Sequence, residues 1–139
     1  MALVLVPPTI PSDEDDGLLS MEDILQLTLT NTGWAIISGC NTAGGDGSGE
    51  GLSGLARAFF FAGAKSLLVS QWSVDDGATQ FLMTEIFKRY GKNRSLPPAQ
   101  ALRHGMQAAM TEAAQHPDRA YFAHPFAWAA FFLVGEGGE

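Results

Sequence analysis

The sequence predicts an α/β fold in three layers, built on a mostly parallel sheet. Two continuous apolar runs, residues 34–38 and residues 66–71, have the composition of buried strands. The segment between them has the spacing of an amphipathic helix, so strand, helix and strand form one right-handed crossover. Because buried parallel strands need helices on both faces of their sheet, we expect this pair to lie between two helical layers.

Before this crossover, the sequence predicts one short strand and one short helix. Residues 2–6 are apolar and stop at two prolines, and an acidic loop follows over residues 9–17. Ser20 and Asp23 have the spacing of a capping box, which marks the start of a helix. The apolar residues of that helix are Met21, Ile24, Leu25 and Leu27.

The helix of the crossover is predicted from one apolar stripe and one stop signal. Apolar residues recur at i, i+3, i+4, i+7 and i+8 from Leu52 to Phe60. Gly63 then provides a C-terminal stop, because glycine adopts the left-handed conformation in which many helices end. We therefore expect a helix with a single buried face.

Two further helices and a strand complete the predicted order of elements. Asp76 or Gly77 caps the first of these helices, and paired prolines at 97 and 98 open the second. The first helix carries the apolar residues Met83, Ile86, Phe87 and Tyr90, and the second carries Leu102, Met106, Ala109 and Met110 on one stripe. Residues 126–134 form the last predicted strand.

Length, composition and charge limit the classes of function. A chain of 139 residues supports one domain, residues 1–139, and its 46% hydrophobic and 17% charged residues are typical of a globular protein. The net charge of −7, with scattered basic residues, argues against a nucleic-acid surface. A single cysteine excludes an intrachain disulfide and favours a reducing compartment, by default the cytoplasm. We expect no membrane span and no export signal.

Cys40 is the main candidate for chemistry. It follows the first buried strand and precedes a glycine-rich loop at residues 44–51. Reacting groups of open α/β sheets stand just beyond the carboxyl ends of the strands, which is where a nucleophile is expected. The alternative is that Cys40 is a small buried apolar residue.

The glycine-rich loop matches two other motifs only formally. Residues 49–54 fit the dinucleotide fingerprint, but ten residues separate them from the strand, and Glu50 would place an anion in the phosphate cradle. The loop from Asp46 also has the start of a calcium site, yet Arg57 occupies the position of its twelfth ligand. We therefore expect neither a cofactor nor a metal.

Several segments of the chain resemble one known family. The segments are Ser38-Gly-Cys-Asn-Thr-Ala-Gly, Ser70-Gln-Trp-Ser-Val-Asp-Asp and His124-Pro-Phe-Ala-Trp-Ala-Ala-Phe, together with residues 15–24, 49–59 and 62–64. In this order they are similar to the CHAT family of caspase-like, separase-related cysteine peptidases, over nearly the whole chain. The resemblance implies a caspase-hemoglobinase-like fold and a cysteine–histidine dyad that cleaves peptide bonds.

The resemblance also implies roles for individual residues. Cys40 would be the nucleophile, with its own backbone N–H in an oxyanion hole formed at Gly39 and Cys40. Asp76, with Asp75 and Trp72 beside it, would hold a basic P1 side chain of a peptide substrate. An equally open alternative is that Asp76 only caps the following helix.

The catalytic histidine of this family is expected before the cysteine, but residues 1–39 contain none. The resemblance therefore implies that the chain is the C-terminal part of the domain, with the sheet incomplete at its N-terminal side and the base supplied upstream. His104 and His116 have the context of structural or solvated residues. His124 would reach the cysteine end of the sheet if the last strand ran antiparallel.

Two classes of function follow. One is a peptidase fragment that is inactive alone and acts on a protein or peptide substrate once joined to its upstream half. The other is a degenerate, non-catalytic peptidase that binds partner proteins. The resemblance adds helical-repeat sensor domains as partners, and an uncovered sheet edge would favour a homo-oligomer.

Overall fold

The computed structural model describes residues 2–4, 8–10, 12, 16–37 and 50–136. Its strands are β1 (Ala2–Val4), β2 (Leu18–Ser20), β3 (Ala35–Ile36), β4 (Ser66–Ser70) and β5 (Phe131–Gly135). Its helices are α1 (Met21–Gln26), α2 (Glu50–Phe61), α3 (Asp76–Lys92) and α4 (Pro98–Gln115). Two 3₁₀ helices, Pro117–Ala123 and Pro125–Ala127, lie between α4 and β5, and residues 117–127 are called the 3₁₀ segment below.

The parallel pair predicted from the two apolar runs is confirmed. The three-stranded sheet has the order β3-β4-β5, and β3 pairs with β4 in parallel, with Ala35 opposite Leu67 and Ile36 opposite Leu68. The backbone N–H of Ile37 continues the pairing to the carbonyl of Leu68 at 2.9 Å.

The prediction of a mostly parallel sheet is wrong for the described residues. β5 runs antiparallel to β4, from Ser66 opposite Gly135 to Ser70 opposite Phe131. The reason is the number of helices between these strands. A parallel strand needs a crossover that returns the chain to its starting edge. Here α3 leads away from the carboxyl end of β4 and α4 leads back, so β5 starts at that same end.

A second, two-stranded sheet lies near the N-terminus. β1 pairs antiparallel with β2, with Ala2 opposite Ser20 and Val4 opposite Leu18. The predicted strand at residues 2–6 is therefore present over its described part. β2 was not predicted, because a strand of three residues directly before a helix cap has no alternation long enough to recognise.

Two hydrophobic clusters on opposite faces of β4 confirm the three layers. Leu67 and Val69 pack on one face against α1 and α2, and Leu68 packs on the other against α3 and α4. All three side chains are fully buried. The helix residues of the first cluster are Ile24, Leu55, Ala56, Ala58 and Phe59, and those of the second are Leu82, Ile86, Ala101 and Leu102.

Most predicted helix ends are found where the sequence places them. Ser20 and Asp23 form the capping box of α1, with the Asp23 backbone N–H 3.1 Å from the Ser20 hydroxyl. Pro98 occupies the first turn of α4. Gly63 follows α2 with φ +104°, and a Cβ there would lie 2.9 Å from the backbone nitrogen of Thr30. Gly63 thus combines a left-handed conformation with a close backbone approach.

The last predicted strand begins later than expected. Residues 125–127 form a 3₁₀ helix, and β5 starts only at Phe131. The apolar run is continuous in the sequence, yet Pro125 and the cap at His124 turn its first residues into a helix. Among the described residues, no helix is long and apolar enough to cross a membrane.

Candidate functional site

The candidate site lies at one edge of the three-stranded sheet, which we call the carboxyl edge. β3 and β4 end there, and the antiparallel β5 begins there. The backbone N–H of Gln71 donates to the carbonyl of Ala130 at 3.0 Å and so joins the exit of β4 to the entrance of β5. This topology brings residues after β4 and residues before β5 to the same edge, although they are far apart in the sequence.

The predicted nucleophile lies outside the described residues. Cys40 and Gly39 follow β3 in the sequence, with the end of β3 at Ile36. Their roles as nucleophile and oxyanion hole stay predictions, as does the role of the glycine-rich loop up to residue 49. The described part of the candidate site is formed by the β4–α3 loop (residues 71–75) and the 3₁₀ segment.

Asp75, and neither Asp76 nor Gly77, caps α3. Its Oδ1 accepts the backbone N–H of Ala78 at 2.9 Å and the hydroxyl of Tyr121 at 2.9 Å. These two hydrogen bonds, chiefly the one from Ala78, hold the pKa of Asp75 below its usual value. The hydrogen bond between Tyr121 and Asp75 raises the pKa of Tyr121. The sequence-based choice of cap was one residue too late, because adjacent aspartates are equivalent as capping signals.

Asp76 is the first residue of α3 and is exposed. Within the described part of the chain, its carboxylate makes no hydrogen bond or ion pair, so the capping role proposed for it belongs to Asp75. An anion at this position is favoured by the N-terminal end of the helix dipole. The contact with a basic P1 side chain stays a prediction, and the exposed carboxylate is compatible with it.

Trp72 is half-buried and is fixed to the 3₁₀ segment. Its indole N–H donates to the carbonyl of Phe126 at 3.0 Å. The two rings stack with centroids 5.8 Å apart and an interplanar angle of 25°. Trp72 therefore holds the β4–α3 loop in place. Its stacking partner Phe126 is the more exposed of the two rings, with 56% of the residue accessible to solvent.

Three histidines lie in the described region, and their surroundings differ. His104 lines a groove of about 450 Å³ between α3 and α4. His116 ends α4, with its Nε2 3.7 Å from a carboxylate oxygen of Glu112. His124 stands before β5 at the carboxyl edge, as expected for an antiparallel last strand, and its Nδ1 accepts the backbone N–H of Phe126 at 3.2 Å.

Sequence reasoning missed Tyr121 as part of this site. The residue lies in a polar stretch after α4, 46 positions from Asp75, and no spacing rule connects the two. A cavity of about 250 Å³ adjoins the pair and is lined in part by Gly77, Tyr121 and Phe122. No group of three or more potential metal-ligating side chains occurs in the part of the chain that the structure describes.

Comparisons with known proteins give one family and two similar proteins. The model of the CHAT domain matches residues 2–136. The chain is similar to tetratricopeptide repeat protein 28 of Mus musculus, with 30% identity over 118 residues, which are 85% of this chain and 4% of that protein. The Homo sapiens protein of the same name is 28% identical over 118 residues, with the same coverage. The chain spans only a small part of these relatives, and no solved structure matches it significantly.

Proposed function

Because this chain belongs to the CHAT domain family, which is related to caspase-like peptidases, we propose that it is the nucleophile-bearing part of a cysteine endopeptidase domain. Its substrate is a protein or peptide. The observation that carries the proposal is the match of the family model to residues 2–136, which include Cys40, four positions beyond the end of β3 in the sequence. The topology supports it, because the substrate-binding candidates lie at the edge where β3 ends.

The proposed reaction begins with attack of the Cys40 thiolate on the carbonyl carbon of the scissile peptide bond. The resulting tetrahedral intermediate collapses when the C–N bond breaks, and the leaving amine takes a proton from a general acid. The acyl-enzyme is then hydrolysed by water, which returns the thiol. A thiol with an ordinary pKa of about 8.5 is only a few per cent ionised at neutral pH, so the first step depends on a base partner.

We propose that this base is a histidine outside these 139 residues. Residues 1–39 contain no histidine. His124 is at the right edge of the sheet, but its Nδ1 is the acceptor of a capping hydrogen bond, so the proton of the neutral ring is placed on Nε2. In that tautomer Nε2 carries the proton and donates hydrogen bonds. A general base needs an unprotonated nitrogen that can accept the proton of the thiol.

Substrate recognition is proposed to centre on Asp76. Its exposed carboxylate is the acidic group of the β4–α3 region that the fold leaves available, because Asp75 already accepts from Ala78 and Tyr121. A guanidinium or ammonium group at P1 would form a charge-assisted hydrogen bond with Asp76. We therefore propose a preference for arginine or lysine at P1.

The second candidate is a non-catalytic module that binds partner proteins. It is favoured by the capped state of His124, which leaves the carboxyl edge without a histidine base among the described residues. The relatives are named for tetratricopeptide repeats, and helical repeats of that kind are the partners that we propose for such a module.

One experiment separates the two candidates with the chain as it is. A peptidyl thioester needs no protonation of its leaving group, whereas a peptide amide does. We expect the chain to be acylated once, on Cys40, by an arginyl thioester, and to leave the matching amide uncleaved. The rate should exceed that of the same chain unfolded in urea, and Cys40→Ala should abolish the adduct.

The alternative outcomes are informative. Equal rates for folded and unfolded protein would mean that the fold does not present Cys40 to peptides, and the interaction module would be favoured. Cleavage of the amide by the chain alone would show that a histidine within it serves as base, which would overturn the proposal of an outside histidine.

A further inference from the structure

The β4–α3 loop is fixed to the 3₁₀ segment by side chains at both of its ends. At its start, the indole N–H of Trp72 donates to the carbonyl of Phe126 at 3.0 Å. At its end, the hydroxyl of Tyr121 donates to Oδ1 of Asp75 at 2.9 Å. The loop that leads into α3 is therefore held by a part of the chain that follows α4.

The second of these contacts lies close to the backbone of Gly77. A Cβ at Gly77 would lie 3.1 Å from Oδ1 of Asp75 and 3.2 Å from the hydroxyl oxygen of Tyr121. Gly77 is in the first turn of α3 and exposed, a setting in which alanine has the higher helix propensity. A side chain at this position would therefore press on both partners of the Asp75–Tyr121 hydrogen bond and require them to shift by a few tenths of an ångström.

The position of Asp76 depends on the hydrogen bonds that hold Asp75. It directly follows Asp75, whose backbone is extended with φ −64° and ψ 137° and whose side chain is held by Ala78 and Tyr121. We propose that Tyr121 is a positioning residue for substrate recognition, which through Asp75 fixes the start of α3 so that the Asp76 carboxylate meets a basic P1 side chain. This inference rests on the function proposed above.

The exposure of Tyr121 makes the inference testable without loss of the fold. The side chain is 48% exposed, so Tyr121→Phe removes one hydroxyl and opens no buried cavity. The other tyrosine, Tyr90, lies near the opposite end of α3, with its ring 5.5 Å from that of Trp34. Tyr90→Phe removes the same atom from the same helix layer and is the matched control.

The experiment compares two peptidyl electrophiles that differ only at P1, arginine in one and norleucine in the other. The measured quantity is the ratio of their second-order rates of reaction with Cys40. We expect Tyr121→Phe to lower the arginine-to-norleucine ratio about three- to tenfold, the effect of one lost hydrogen bond, with the norleucine rate unchanged. Tyr90→Phe should leave both rates unchanged.

A double variant shows whether Tyr121 acts through Asp76. Asp76→Asn should lower the ratio at least as far as Tyr121→Phe, and the double variant should match Asp76→Asn alone. A further loss in the double variant would mean that Tyr121 acts by another route and would overturn the inference. Trp72→Phe, which keeps a ring and loses the N–H donor, should lower the ratio in the same direction.

The outcomes distinguish this inference from the proposed function. If the unaltered chain shows no arginine preference, or Asp76→Asn does not change it, the P1 assignment fails and the positioning role fails with it. If Asp76→Asn removes the preference and Tyr121→Phe does not alter it, only the positioning role fails. Backbone amide exchange at residues 73–77 should be faster in Tyr121→Phe than in Tyr90→Phe, and equal exchange would also overturn the inference.

Discussion

The imidazole of His124 accepts a hydrogen bond from the backbone N–H of Phe126, with Nδ1 3.2 Å from that nitrogen. The bond caps the 3₁₀ helix Pro125–Ala127, at the edge of the sheet where the catalytic group is expected. One histidine nitrogen is therefore used by the fold.

This contact predicts that His124 contributes to stability and not to the reactivity of Cys40. We expect His124→Ala to lower the free energy of unfolding by about 1 kcal/mol, the effect of a lost cap. Asparagine can also cap, so His124→Asn should keep most of the stability that the cap provides. The pH dependence of thiol alkylation should be the same in both variants and in the unaltered chain. A loss of alkylation at neutral pH in both variants would identify His124 as the base.

The contact between α3 and α4 predicts that alanine in place of one glycine destabilises the protein strongly, whereas alanine in place of another has little effect on stability. A Cβ at Gly105 would lie 2.7 Å from Cγ1 of Ile86 and 3.2 Å from Cδ1 of Leu82. Both of these side chains are fully buried, so Gly105→Ala should cost about 1–3 kcal/mol of stability.

The control for this prediction lies near the end of α3. A Cβ at Gly91 would meet nothing within 4 Å. Gly91→Ala should therefore be neutral or stabilise the protein by up to about 1 kcal/mol. Urea titrations of the two variants measure the difference, and equal midpoints would contradict the close packing of α3 on α4.

The lowered pKa of Asp75 predicts how the stability it provides depends on pH. Its cause is chiefly the hydrogen bond from the Ala78 N–H, followed by that from Tyr121. A group whose pKa is lower in the folded state stabilises the fold above its unfolded pKa, about 3.9 for aspartate. That stabilisation is lost as the pH falls from this value through the lowered folded pKa.

Asp75→Asn tests this directly, because asparagine accepts the same hydrogen bonds and does not titrate. We expect the difference in unfolding free energy between the two proteins to be constant above about pH 5 and to shrink as the pH falls below about 3.9. Chemical denaturation at a series of pH values measures it. A difference that stayed constant down to pH 2 would contradict the two hydrogen bonds.

The predictable part of this fold is the part encoded by local patterns. The capping box at Ser20, the stripe of α2 with Gly63, and the two buried runs that form β3 and β4 were all found in the described structure. The direction of β5 was not predicted, because it depends on how α3 and α4 return the chain to the carboxyl edge. An apolar run alone does not specify the direction of its strand.

The location of the candidate residues after β4 was predictable, and their contacts were not. Asp75, Asp76 and Trp72 were identified from the segment after β4, and the described structure places them at the carboxyl edge. The choice between the two aspartates, and the part played by Tyr121, depend on a hydrogen bond across 46 residues. No pattern in the sequence encodes such a contact.

The central claim is that Cys40 is the nucleophile of a peptidase-related domain, and its reaction with a peptidyl electrophile tests it most directly. Cys40 is the single cysteine, so the intact mass of the protein reports its modification without ambiguity. We predict one adduct, formed faster on the folded chain than on the chain unfolded in urea, faster with arginine than with norleucine at P1, and absent from Cys40→Ala. An adduct that formed at the same rate on folded and unfolded protein, whatever the residue at P1, would contradict the claim.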